Sequence, residues 1–153
     1  MFQLIQISAR AGRVALVSIA LAVSSAQAAD AQSVLGNWST EGGHGVVAIE
    51  QCGDALCGRL VGLDIKPDEP IPTDVHGTPE CGLTLISNER PTGDGSWLGE
   101  IIDPRTGHSY DAKIWIDDAG NLHLRGFLGI PLFGETQIWH HFTGRLTDEC
   151  RLT

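Results

Sequence analysis

The sequence predicts an all-β domain, an eight-stranded antiparallel up-and-down β-barrel. Three observations predict it: short apolar runs at nearly even spacing, alternation of apolar and polar side chains along those runs, and the lack of a long helical period. Glycine, with 19 residues, and proline, with 7, supply many of the turn positions between the runs. A two-sheet sandwich fits the same pattern and is the alternative architecture.

Residues 1–28 have the features of a cleaved secretory signal peptide. Arg10 and Arg13 form a basic n-region, and residues 14–23 are an apolar run too short to span a bilayer. Ala26 and Ala28 then provide the small residues of a cleavage site. We therefore expect Sec-type export to the periplasm or the extracellular space. The mature chain, residues 29–153, is expected to be a single domain without a membrane span.

The chain is acidic, with a formal net charge of −9 that becomes −11 when the two signal arginines are removed. An acidic surface is repelled by the phosphates of nucleic acids and by anionic lipid headgroups. The composition therefore disfavours nucleic acid and anionic membranes as partners.

Eight segments of the mature chain are predicted strands: 36–40, 46–52, 57–63, 83–87, 97–103, 109–117, 121–129 and 135–143. Between them, DPRTG at 103–107 and DDAGN at 117–121 have the residues that favour tight turns, so they predict hairpins between neighbouring strands. The sixth segment alternates most clearly, with Tyr110, Ala112 and Ile114 on one face and Asp111 and Lys113 on the other.

Residues 64–80 differ from the rest of the mature chain. They carry four of the seven prolines and five acidic residues but few apolar ones. Such a segment is too long for an ordinary connection, so it is either a functional lid or a mobile loop. The mobile loop is the interpretation that we favour.

All four cysteines lie in the mature part, and an even number in an exported chain favours disulfides. Cys52 and Cys57 flank residues 53–56 between two apolar runs, so a hairpin would place them opposite each other within bonding reach. Cys81 and Cys150 remain as a second pair by elimination. A zinc site is the alternative for these cysteines.

Several motifs occur in the order seen in a bacterial secreted family. They are GNW at 36–38, CGDALCG at 52–58, CGL at 81–83, DPRTG at 103–107 followed by Tyr110, RGFLGIPLFG at 125–134 and QIW at 137–139. The sequence resembles the family known as domain of unknown function 2147 over about residues 35–142. This resemblance implies a lipocalin-like barrel and export, and it implies no established activity, ligand or catalytic residue.

One position departs from the family pattern, in which a basic residue late in the chain packs against the opening tryptophan. The sequence has His141 at that position. A neutral imidazole can still stack on Trp38, but a cation–π contribution would depend on pH.

The sequence contains no convincing catalytic or metal-binding constellation. Asp103, His108 and Asp111 surround a tight turn and could form a general-base unit, yet no serine follows in a nucleophile elbow. His123 could meet His140 or His141 across neighbouring strands, which is the one metal geometry worth testing. We therefore expect no enzyme, no metal and no cofactor, with a hydrolase as a remote alternative.

Aromatic residues are frequent enough to line an apolar pocket with a few polar anchors. The candidate ligand-binding residues are Trp38, Tyr110, Arg125, Phe127, Gln137 and Trp139. The first functional hypothesis is a binding protein that holds a small apolar or amphipathic molecule in the barrel. The alternative is a non-enzymatic interaction or structural protein of the envelope with a filled barrel.

Overall fold

The computed structural model describes residues 34–153. They form a closed barrel in which each strand pairs antiparallel with the next and the last returns to the first. The strands are β1 (Gly36–Ser39), β2 (Gly45–Cys52), β3 (Ala55–Leu63), β4 (Thr84–Pro91), β5 (Ser96–Ile102), β6 (Ser109–Ile116), β7 (Leu122–Phe127) and β8 (Glu135–His141). The predicted barrel is confirmed, and the sandwich alternative is wrong. The predicted signal peptide lies outside the described residues.

Strand β4 is the one strand whose predicted end is wrong by more than two residues, because it continues to Pro91 instead of ending at Ser87. A bulge interrupts its pairing with β5 between Ser87 and Arg90, and Asn88 takes a positive φ of 58° there. Bulges leave an extra residue unpaired and bend the strand, so polar residues that suggest a turn can remain in a sheet.

The apolar core fills the end of the barrel where β1 begins. Trp38, Ile86 and Ile114 have no exposed surface there, and Trp97 is almost completely buried. Burial of each large apolar side chain stabilises the fold by about 2–3 kcal/mol. Within residues 34–153, no helix is long and apolar enough to cross a membrane.

Both predicted disulfides are present. Cys52 and Cys57 have Cα atoms 5.8 Å apart, but they do not face each other as expected, because Cys52 opposes Ala55 and Cys57 opposes Glu50. The hairpin loop has two residues instead of four, with Gly53 at a positive φ of 68°. The two cysteines therefore bond diagonally across the hairpin.

The second disulfide joins the tail that follows β8 to Cys81 in the β3–β4 connection, and backbone hydrogen bonds join the same tail to β3. Cys81 and Cys150 have Cα atoms 5.9 Å apart, and the Leu63 amide donates to the Cys150 carbonyl at 2.8 Å. The tail packs so closely that a Cβ atom on Gly62 would lie 2.4 Å from Leu146. The tail therefore covers part of the outer face of the sheet.

The long segment 64–80, for which the sequence favours a mobile loop, makes hydrogen bonds to other parts of the chain at several points. The Val75 amide donates to the Pro104 carbonyl at 3.0 Å, and Arg151 of the tail donates to the Glu69 carbonyl at 2.7 Å. Thr73 and Pro79 also form an isolated bridge. The segment is thus connected to both the β5–β6 turn and the tail.

Candidate ligand-binding site

The open end of the barrel contains a cavity of about 690 Å³. The connections β1–β2, β3–β4, β5–β6 and β7–β8 lie at this end, opposite the packed core. Its lining comes from β4 to β8 and from two of these connections: Leu85, Ile101, Ile102, Asp103, Pro104, Arg105, Tyr110, Leu124, Gly126, Phe127, Leu128, Phe133, Glu135, Gln137 and Trp139. Its volume lies within the range of small-molecule sites.

The cavity brings together four of the six residues that the sequence suggests as ligand contacts: Tyr110, Phe127, Gln137 and Trp139. The Trp139 indole N–H donates to Gln137 Oε1 at 2.8 Å, which fixes the two side chains relative to each other. The amide nitrogen of Gln137 keeps two donors for a ligand. The other lining residues, such as Leu85 and Ile101, were not among the sequence-based candidates.

Trp38 lies in the packed core, away from this cavity. Its ring stacks on His141 with centroids 3.8 Å apart, and its indole N–H donates to the Val34 carbonyl at 2.8 Å. The two residues are also direct partners between β1 and β8. The Trp38–His141 contact predicted from the family pattern thus forms where the barrel closes.

Arg125 lies on the outer face of β7, while its neighbours Leu124 and Gly126 line the cavity. Its guanidinium donates to the carbonyls of Pro131, at 2.6 Å, and Leu132, at 3.3 Å, as well as to Thr136 Oγ1. Arg125 therefore fixes the β7–β8 loop and does not reach the cavity.

The β7–β8 loop, residues 128–134, exposes a group of large apolar side chains beside the mouth of the cavity. Leu128 is 69% exposed, Ile130 52%, Leu132 76% and Phe133 80%. Leu128 and Phe133 also line the cavity. Clustered apolar exposure of this kind is typical of ligand or partner contacts.

A second, more open cleft of about 480 Å³ lies on the outer face of the barrel. Lys113, Trp115 and Arg125 line it, together with Asp94 and Ser96. Hydrogen bonds from the Ser96 and Thr92 side chains, and then from Lys113, hold the pKa of Asp94 well below its usual range. Lys113 and Asp94 thus form an ion pair with each other within the cleft.

Glu89 is a buried acid in the barrel to which the sequence assigned no role. It has no exposed surface, and neither carboxyl oxygen has a hydrogen-bond partner among the described residues. Burial raises its pKa to about 8. Burial of an unpaired carboxyl group destabilises the folded state, so its presence calls for a physical explanation.

The residues of the hydrolase alternative form a turn. The Asp103 amide donates to the His108 carbonyl at 2.9 Å, and the Asp103 carboxylate accepts from Arg105. Within residues 34–153, the Asp103 carboxylate makes no hydrogen bond to the His108 imidazole. The geometry therefore favours the structural role.

The histidines near β7 and β8 have separate partners. His123 stacks on Trp115 and lies 2.9 Å from Asp117 Oδ2, whereas His140 Nδ1 lies 2.8 Å from Asn121 Oδ1. Hydrogen bonds from His123 and then from the Asn121 amide lower the pKa of Asp117. Residues 34–153 contain no group of three potential metal ligands.

The comparisons with other proteins agree with this architecture. Residues 36–141 match a family described as "Uncharacterized protein conserved in bacteria (DUF2147)". The fold is similar to that of protein HP1028 from the human pathogen Helicobacter pylori, described as belonging to the lipocalin family. The TM-score is 0.60 at 16% identity, over 75% of this chain and 84% of that chain. No curated protein matches the sequence.

Proposed function

The chain belongs to the DUF2147 family of bacterial proteins, and we propose that it is an exported binding protein that holds a small apolar or amphipathic molecule at the open end of its barrel. Export is supported by the two disulfides, because such bonds persist in oxidising compartments. A lipocalin-like barrel of eight strands has an interior wide enough for one small ligand.

The observation that carries this proposal is the cavity of about 690 Å³. Apolar side chains from β4, β5 and β7 face it, and the polar side chains of the lining are Asp103, Arg105, Tyr110, Glu135 and Gln137. This composition favours ligands that gain most of their affinity from apolar burial, at about 25 cal/mol per Å². Gln137 supplies a hydrogen-bonding group within the wall, and the Asp103–Arg105 pair lies at the rim.

The direct test is native mass spectrometry of the mature protein, purified unreduced from its own host, followed by identification of any released molecule. We expect one apolar or amphipathic molecule per chain. A bare protein mass that also fails to take up N-phenyl-1-naphthylamine, an apolar fluorescent probe, would contradict the proposal.

Filling the cavity should abolish binding of this probe. A Cβ atom on Gly126 would meet only Ile101 Cγ2, at 3.8 Å, so the site has room for a larger side chain that points into the cavity. We expect Gly126→Phe to weaken probe binding at least tenfold, measured by fluorescence titration. Leu98→Phe is the matched control, because Leu98 is 45% exposed on the outer face of β5.

Near-ultraviolet circular dichroism verifies that the Gly126→Phe variant is folded. If the folded variant binds the probe as tightly as the wild type, the probe does not bind in this cavity. The control variant is expected to bind normally. Weakened binding in both variants would indicate that the added ring acts through general destabilisation.

The exposed β7–β8 loop favours a second candidate function, an interaction protein that recruits a partner through apolar contacts. We expect the double variant Ile130→Ser, Leu132→Ser to abolish partner recovery after crosslinking in the native host. Neither residue lines the cavity, so probe binding should be unchanged. Unchanged recovery of partners would argue against this second function.

A further inference from the structure

Glu89 reaches the barrel interior because of the bulge in β4. Ile86 points inward and is completely buried, and the bulge after Ser87 brings Glu89 to the same face. The bulged backbone lies directly against Gly99 of β5, where a Cβ atom would be 2.5 Å from the Ser87 carbonyl and 2.7 Å from the Glu89 amide. The glycine is therefore required for this path of the chain.

The neighbours of Glu89 on the two adjacent strands have no polar side chain. Leu56 is its direct partner on β3 and has no exposed surface, and Gly99 of β5 has no side chain. The charged neighbour Arg90 is exposed and pairs outside the barrel with Asp54. No charged group contributes to the raised pKa of Glu89, whose one cause is burial.

Glu89 lies one layer beneath the cavity. Ile86 pairs directly with Ile101, and Ile101 lines the cavity. Along β4, Glu89 is the next inward residue after Ile86 in the direction of the packed core. The cavity lining does not include Glu89, so a ligand meets its carboxyl group only by extending past the completely buried Ile86.

We propose that Glu89 anchors the amine head group of an amphipathic ligand whose apolar tail occupies the open-end cavity. This inference rests on the proposed function and specifies the class and the orientation of its ligand. Both carboxyl oxygens lack partners among residues 34–153, so an ammonium group can pair with them without breaking an existing bond. The tail then contacts Leu128 and Phe133 at the apolar rim.

Binding of such a ligand releases a proton. In the free protein the buried carboxyl group is neutral at pH 7, since burial disfavours its charged form. The ligand arrives as R–NH3⁺, the carboxyl group loses its proton to the solvent, and the product is an ion pair between R–NH3⁺ and the Glu89 carboxylate. One proton is released for each ligand bound, with no other bond made or broken.

The test compares three probes of equal chain length, dodecylamine, dodecanol and dodecanoate, below their micellar concentrations at pH 7. Affinities come from displacement of N-phenyl-1-naphthylamine in the wild type and in Glu89→Gln. In the wild type we expect the amine to bind at least tenfold more tightly than the alcohol, and dodecanoate to bind most weakly. The isosteric Glu89→Gln variant should bind dodecylamine no more tightly than dodecanol. Its affinity for dodecanol should equal that of the wild type.

The proton provides a second measurement that needs no variant. Isothermal titration calorimetry of dodecylamine in buffers with different ionisation enthalpies should show release of nearly one proton per ligand at pH 7. Equal binding of amine and alcohol, or no proton release, would overturn the role of Glu89 and leave the proposed function intact. Failure of all three probes to bind the wild type would contradict the proposed function itself.

Discussion

The free energy of unfolding is expected to fall by up to about 5 kcal/mol as the pH rises from 4.5 to about 8, because Glu89 is buried as a neutral acid. In the unfolded chain its carboxyl group loses its proton near pH 4.5, whereas in the folded protein it keeps the proton to about pH 8. Between these values the folded state binds more protons, so stability decreases as pH rises. Below pH 4.5 the penalty is absent, and above pH 8 it is fully present.

Urea unfolding at pH 5, 6.5 and 8.5 with the disulfides intact measures this effect. The Glu89→Gln variant has no titrating group at this position, so its stability should change much less over the same range. At pH 8.5 the variant should therefore be the more stable protein. Parallel pH profiles for the two proteins would show that Glu89 does not control the stability.

Removal of the Cys81–Cys150 disulfide is expected to destabilise the protein by about 4 kcal/mol, from the entropy of closing a loop of this length in the unfolded chain. The sequence separation is 69 residues, and the bond also holds the tail against β3. The double variant Cys81→Ser, Cys150→Ser can be compared with wild type by urea unfolding under non-reducing conditions.

The matched control is the double variant Cys52→Ser, Cys57→Ser. This bond closes a sequence separation of only 5 residues, so we expect a loss of about 2 kcal/mol. If the two double variants lose the same free energy of unfolding, the stabilisation does not depend on the length of the closed loop, and the entropic explanation is contradicted. If the tail does not stabilise the fold, removal of the Cys81–Cys150 bond should cost less free energy of unfolding. The loss would then approach the loss for the Cys52–Cys57 bond.

The strand order and most strand boundaries can be predicted from the sequence because turns and alternation are local properties. The turn at residues 117–121 illustrates this: the Asp117 carboxylate accepts from the amides of Ala119 and Asn121, as expected for a short polar turn. The alternation of Leu124 and Gly126 likewise indicates that Arg125 faces outward. The prediction that Arg125 contacts a ligand did not take this alternation into account.

Glu89 could not be assigned from the sequence because its position depends on a contact between strands. Residues 88–91 are polar and lie beyond the predicted strand 83–87, yet Arg90 and Pro91 pair with β5. The bulge that turns Glu89 inward requires both the positive φ of Asn88 and the absence of a side chain at Gly99. Neither requirement is visible until the register of β4 and β5 is known.

The cavity wall was predictable only in part for a similar reason. Tyr110 and Trp139 follow from their aromatic character, whereas Leu85 and Ile101 are ordinary strand residues in the sequence. Closure of the barrel places these residues around one space. The alternation pattern indicates which face each occupies but not which strands stand across from each other.

The seam between β1 and β8 is the narrowest connection in the sheet, with two paired positions, Trp38–His141 and Ser39–His140. Hydrogen–deuterium exchange should therefore be faster for amides at this seam than for those between β5 and β6. While the Cys81–Cys150 bond is intact, the chain after β8 stays joined to the β3–β4 connection, and we expect this restraint to keep openings of the seam short. A reducing environment removes that restraint, so we expect the seam to open more often and its two strand edges to become available for pairing with other molecules. We therefore expect reduction of this disulfide to increase the tendency of the barrel to aggregate through these edges.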